Sequence, residues 1–176
     1  MKKFLLAITC CVLCVSFDGY AKEYKEDDLI ELPGKVLCDS KGNLITGIVK
    51  GGSIFSYHET PYKNGKKDGV EKYYFMGKFS SETPYKDGKK NGIVREYHEN
   101  GTLWKEVPYI DDLTDGIFKV YREDGTLYIE VTYKKDIRDG EEKWYDREGN
   151  ILSTNLYKNG RAVGVHKKFT EDGKEY

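Results

Sequence analysis

Histidine is scarce in this sequence. It occurs only at His58, His98 and His166. In the repeat frame set out below, His98 and His166 lie about three hairpins apart, roughly 29 Å at strand spacing. They cannot share a metal whose ligand bonds are ~2 Å long, so surface histidines are expected. Cysteine is equally sparse beyond the first 21 residues, where Cys38 stands alone. One cysteine closes no internal disulfide, so Cys38 is expected as a small buried apolar residue. No G-x-S-x-G, H-E-x-x-H or phosphate-binding glycine loop is present, and Gly51-Gly52 reads as a turn. Asp111, Asp112 and Asp115 crowd one segment, which is expected as a solvated loop. These absences argue against an enzyme and imply no catalytic residue, cofactor or metal.

An excess of one charge is missing too. Residues 1–21 carry only Lys2, Lys3 and Asp18, so the remainder has 27 basic and 29 acidic residues. That near balance excludes the strongly basic field of a dedicated nucleic-acid binder. The one long apolar run, Phe4–Phe17, is interrupted only by Thr9 and Ser16. At about 14 residues it falls short of the ~20 that a spanning helix needs. With Lys2 and Lys3 before it and Gly19-Tyr20-Ala21 after it, residues 1–21 read as a secretory signal peptide cleaved before Lys22. Cys10, Cys11 and Cys14 lack the small preceding residue that lipidation wants. The expected location is therefore outside the cytoplasm: periplasmic, cell-surface or secreted. Membrane contact is expected only through this segment or peripherally.

What is present is repetition. Gly69, Gly92, Gly116, Gly140 and Gly164 recur at spacings of 23, 24, 24 and 24. Five residues after each comes an aromatic: Tyr74, Tyr97, Tyr121, Tyr145 and Phe169. Nine after comes a second glycine: Gly101, Gly125, Gly149 and Gly173, with Gly77 one place early. Eleven after is apolar: Leu103, Leu127 and Ile151, with Phe79 shifted. Seventeen after is tyrosine: Tyr109, Tyr133 and Tyr157, with Tyr85 shifted and Tyr62 upstream. Residues 47–176 thus read as tandem repeats, and residues 22–46 as a polar lead with a degenerate first repeat. There, Asp39–Leu44 echoes Asp146–Ile151 and places Cys38 in an aromatic column. Atypical end repeats are normal, since they pack on one neighbour only.

Each repeat reads as a β-hairpin. Asn100-Gly101 and Asp124-Gly125 suggest two-residue type I′ turns, and the flanks are rich in strand-forming residues. Segments such as Tyr85–Gly92 would form return loops of three to four residues, too short for a helix. Two-residue turns set facing residues. Arg95 should face Glu106, Tyr97 face Trp104 and Ile93 face Pro108. Lys119 should face Glu130 and Tyr121 face Tyr128. Such cross-strand pairs are each worth roughly 0.2–1 kcal/mol. A basic column (Lys72, Arg95, Lys119, Lys143, Lys167) and an acidic column (Glu59, Glu82, Glu106, Glu130) are expected to satisfy one another, with lysine stems over tyrosine rings. Charged and apolar residues mix on both faces. The expected fold is all-β, an elongated single-layer antiparallel meander of stacked hairpin repeats.

These columns resemble the MORN repeat family, in the variant often called MORN-2 and found in bacteria. Gly92–Leu103 carries its G-x-x-x-x-Y-x-x-N-G-x-L pattern and Tyr157–Gly164 its Y-x-x-G-x-x-x-G pattern. The resemblance covers about residues 47–176. It departs at Gly77, one residue early, and at Asp112, which replaces a loop glycine. It implies stacked antiparallel hairpins used in scaffolding and membrane-proximal interaction, and a bacterial group sharing such repeats is labelled antitoxin-like. Fold alone does not fix function. The leading expectation is a protein–protein interaction or scaffold module whose protein partner is unidentified. Carbohydrate binding on exposed tyrosines, and antitoxin or immunity activity, stand behind it.

Overall fold

The computed structural model describes residues 22–170 and 173–175; the expected signal peptide, residues 1–21, lies outside them. The strands in chain order are β1 (Glu23–Lys25), β2 (Ile30–Leu32), β3 (Val36–Cys38), β4 (Gly47–Gly52), β5 (Ser56–Lys63), β6 (Lys66–Lys67) and β7 (Gly69–Phe75). They continue as β8 (Lys78–Lys86), β9 (Lys89–Lys90), β10 (Gly92–Tyr97), β11 (Leu103–Ile110), β12 (Leu113–Thr114) and β13 (Gly116–Tyr121). The last four are β14 (Leu127–Lys134), β15 (Ile137–Tyr145), β16 (Ile151–Lys158) and β17 (Arg161–Lys168). From β4 onward each strand pairs with the next in sequence, the short β6, β9 and β12 pairing at the strand ends. The sheet is open and single-layered, with few fully buried apolar side chains: Cys38, Ile45, Val49, Val94 and Val131.

Two kinds of turn alternate along the meander, and at Asn100-Gly101 and Asp124-Gly125 the turn is not the one that the dipeptide suggests. The Asn100-Gly101 connection is a three-residue turn. Gly101 N–H donates to His98 O at 2.9 Å and His98 N–H to Thr102 O at 2.8 Å. Only Gly101 is left-handed, with φ +85°, which makes a type I turn closed by a G1 bulge. The Asn100 carboxamide oxygen instead accepts from Thr102 N–H at 2.9 Å. Tyr97 therefore faces Leu103 and Tyr121 faces Leu127, which corrects the expected partners Trp104 and Tyr128. A β-bulge next to each turn restores the lost residue. Beyond it Arg95 faces Glu106, Ile93 faces Pro108 and Lys119 faces Glu130, as a two-residue turn would also give.

The type I′ turns occur at the other end. Both central residues have positive φ at Asn64-Gly65, Asp87-Gly88, Asp111-Asp112, Lys135-Asp136 and Asn159-Gly160. The return connections are thus two residues long, not three to four. The odd 23-residue repeat has the same cause. Met76 (φ +51°) and Gly77 (φ +75°) form a two-residue turn where its neighbours use three.

The N-terminal lead is more structured than expected. β1 pairs in parallel with β4 and caps the sheet edge, an exception to the antiparallel order. β2 and β3 form a separate two-stranded sheet. Residues 39–43 repeat the three-residue turn, with Gly42 N–H donating to Asp39 O at 2.9 Å. Cys38 is bridged to Leu44 and is 2% exposed.

Candidate functional surface

The registers place three rows on one face of the sheet. The middle row alternates in charge: Lys50, Glu59, Lys72, Glu82, Arg95, Glu106, Lys119, Glu130 and Lys143 face one another in succession. Arg95 reaches Glu82 at 3.0 Å and Glu106 at 2.9 Å, and Lys119 reaches Glu130 at 3.4 Å. Each half-exposed pair is worth about 0.2–1 kcal/mol, and the row largely neutralises itself.

On one side of it lie the repeat tyrosines Tyr74, Tyr97, Tyr121 and Tyr145, two residues from the basic positions. Their partners are Phe79, Leu103, Leu127 and Ile151. Tyr121 and Tyr145 donate their hydroxyls to Glu106 (3.1 Å) and Glu130 (2.7 Å). Burial and the Glu106 charge push the Tyr121 phenol up to about 12. Phe169 is bridged to Glu175. These rings are structural pairs, which weakens the idea of free stacking platforms.

On the other side lies a ridge. Val70 faces Pro84, Ile93 faces Pro108, Ile117 faces Thr132 and Leu156 faces Glu141. Val70 is 43%, Ile93 40%, Ile117 50% and Leu156 49% exposed. Prolines 61, 84 and 108 also account for the repeat glycines. A Cβ on Gly69, Gly92 or Gly116 would lie 2.8, 2.9 or 3.0 Å from the proline Cγ of the preceding strand. Gly140 meets Thr132 in the same way, whereas Gly101, Gly125, Gly149 and Gly164 have open space.

The opposite face carries the second tyrosine column, Tyr85, Tyr109, Tyr133 and Tyr157. The cations over these rings are Lys67 on Tyr85 (4.6 Å), Lys90 on Tyr109 (4.9 Å) and Arg138 on Tyr157 (5.3 Å). They come from the strand ends, not from the basic column expected to cover tyrosines. Two carboxylates interrupt this face, Glu71 half-buried and Glu142 buried. Glu71 is raised by burial, but hydrogen bonds from Lys67 and Thr60 outweigh it and hold its carboxyl below the ordinary range. Glu142, 6% exposed, accepts from Arg138 (3.1 Å), Trp144 (3.2 Å) and Asn155 (2.9 Å). Both lie two residues after a repeat glycine, in a column reading Glu71, Val94, Phe118, Glu142, His166. Its break in chemistry was a signal that the fixed columns concealed.

The histidines are dispersed. The ring of His58 lies 3.9 Å from Glu26, that of His98 3.1 Å from Tyr121 O, and that of His166 2.6 Å from Asn155. His58 and His98 are half-buried and His166 is exposed. Among the described residues no group of three or more His, Cys, Asp and Glu is arranged to hold a metal. No helix among them is long and apolar enough to cross a membrane.

The return turns stack along one end of the sheet. Gly65 N–H donates to Ile45 O, Gly88 to Lys67 O, Asp112 to Lys90 O, Asp136 to Thr114 O and Gly160 to Arg138 O, all at 2.7–3.0 Å. Where aspartate replaces glycine, its carboxylate answers the neighbour. Lys90 N–H donates to Asp112 and Thr114 N–H to Asp136, each at 2.7 Å.

A comparison with curated proteins finds no match. A family comparison does, over segments that each run from one of these ladder carbonyls to the first residue of the next return turn. Residues 90–111, 114–135 and 138–159 match three consecutive copies of the MORN repeat variant.

Proposed function

We propose that the chain is an exported, non-catalytic scaffold whose ridged face docks another protein. The observation that carries this reading is the regular exposure of Val70, Ile93 and Ile117 beside a charge row that is already self-paired. Apolar side chains repeated at this spacing without cover mark an interaction surface. Because the adjoining charges are largely satisfied, the partner that fits is a flat apolar surface with a polar rim. Repeat arrays present such extended surfaces by design of their stacking. Support for the scaffold class comes from the match to an interaction-type repeat.

The test is capture from envelope and culture-medium fractions of the source cells, with the native chain and with Ile93→Lys/Ile117→Lys. A stoichiometric protein held by the native chain and lost from an equally stable variant supports this face. Retention by the variant overturns it. Mass measurement of the exported chain should place its N-terminus at Lys22; an intact Met1 or a lipid-modified N-terminal cysteine would overturn cleavage there.

A further inference from the structure

The return turns of the first two full hairpins carry lysines that stand unpaired, whereas Lys158 at the last return turn is held by Asp139 at 2.8 Å. Lys63, Lys66, Lys86 and Lys89 flank Asn64-Gly65 and Asp87-Gly88, and all four are exposed. None has an ion-pair partner within 4.0 Å among the described residues, while their neighbour Lys67 is held by Glu71. Successive tips lie two strands apart, about 9.6 Å at ~4.8 Å per strand, and are tied by Gly88 N–H to Lys67 O at 2.8 Å. Between them opens a cleft of about 770 Å³, lined in part by Lys63, Asn64, Lys66, Asp68, Lys86 and Asp87.

The chemistry of this cleft is mixed. Three lysines there stand against two aspartates, so a densely charged polyanion would meet repulsion. The next tip, Asp111-Asp112, ends the basic stretch. Neither turn itself, residues 63–66 or 86–89, contributes an apolar side chain to enter a bilayer; Leu44 lies beside Gly65 at the first. The Asn64 carboxamide and the Asp68 carboxylate instead offer hydrogen-bonding groups suited to hydroxyls. The spacing of the tips is comparable to two sugar rings of an extended polysaccharide. We infer that this cleft binds a short acidic glycan, with Lys63 and Lys86 each facing a carboxylate or sulfate and Asn64 and Asp68 taking hydroxyls. This site is separate from the ridge and does not depend on it.

The probe is a tetramer of galacturonate, titrated calorimetrically into the native chain at low salt. Lys63→Glu/Lys86→Glu should weaken binding at least tenfold. Lys134→Ala/Lys135→Ala, at a distant basic tip, should change it less than twofold, and Ile93→Lys/Ile117→Lys should leave it intact. Thermal midpoints of all variants verify folding. No binding of the tetramer, or equal loss in the two lysine variants, overturns the inference. Tighter binding of single-stranded DNA or of anionic phospholipid vesicles than of the tetramer also overturns it.

Discussion

Gly116→Ala should destabilise the array far more than Gly125→Ala, although both change a left-handed glycine nine residues apart. Gly116 sits at φ +125°, and a Cβ there would lie 3.0 Å from Pro108 Cγ. Gly125 sits at φ +84° with nothing within 4 Å. The conformation at Gly116 costs a side chain about 1–3 kcal/mol. Forcing a methyl against a rigid proline ring adds about 1–3 kcal/mol. Gly125→Ala carries only a left-handed penalty of about 1–2 kcal/mol. Urea unfolding followed by the fluorescence of Trp104 and Trp144, on strands around Gly116, measures both. Adding Pro108→Ala to Gly116→Ala should recover the steric share and leave the backbone share, a coupling of about 1 kcal/mol or more. Equal costs for the two alanines, or no coupling, would refute the packing account of the repeat glycine.

Because the Asp112 carboxylate accepts from Lys90 N–H, Asp112→Ala should lose about 1 kcal/mol, since the left-handed φ of +71° stays while the bond to Lys90 goes. Asp112→Gly should be near neutral, because relief of backbone strain offsets the lost bond; thermal melts distinguish the two. Met76→Asn should stabilise by about 0.5–1 kcal/mol in the same assay, since asparagine tolerates the φ of +51° in this exposed turn. Alkaline titration should show Tyr62, Tyr85 and Tyr121 ionising near 12 and not near 10, chiefly through burial and secondarily through Glu71 or Glu106. Folded-state values raised this way mean full stability below pH 10 and a progressive loss as pH rises through 12. Tyrosinate absorbance that rises entirely near 10 in the folded chain would contradict it.

Periodicity made the meander legible, because a 24-residue column needs no knowledge of its turns. Arg95, Glu106, Lys119 and Glu130 meet as their spacing suggests. That success hides two compensating errors. The three-residue turn shifts the register by one, and the bulge before Tyr97 shifts it back. Asn100-Gly101 and Asp124-Gly125 misled because Asn100 and Asp124 use their side chains to accept from Thr102 and Thr126 and stay right-handed, whereas Asn64-Gly65, Asp87-Gly88 and Asn159-Gly160 take the type I′ turn. The return connections were read as three to four residues long, since Asp111-Asp112 and Lys135-Asp136 lack the glycine that marks Asn64-Gly65, Asp87-Gly88 and Asn159-Gly160 as two-residue turns. The parallel strand β1 and the separate β2–β3 pair lie where repetition fails, so no column predicts them. Glu142 was equally invisible: Arg138 and Trp144 share its strand, but Asn155 completes the set only when β15 and β16 pair.

The ladder of return turns has a direction. In each of the five backbone bonds from a return turn to the preceding hairpin, the N–H belongs to the later unit and the carbonyl to the earlier one; Leu37 N–H, donating to Gly65 O, runs the other way. A hairpin emerging from synthesis therefore finds its acceptor already in place, and assembly can proceed in the order of translation. Each finished unit offers the same carbonyl to whatever follows, so copying a 24-residue segment in tandem would lengthen the protein without asking any existing contact to change.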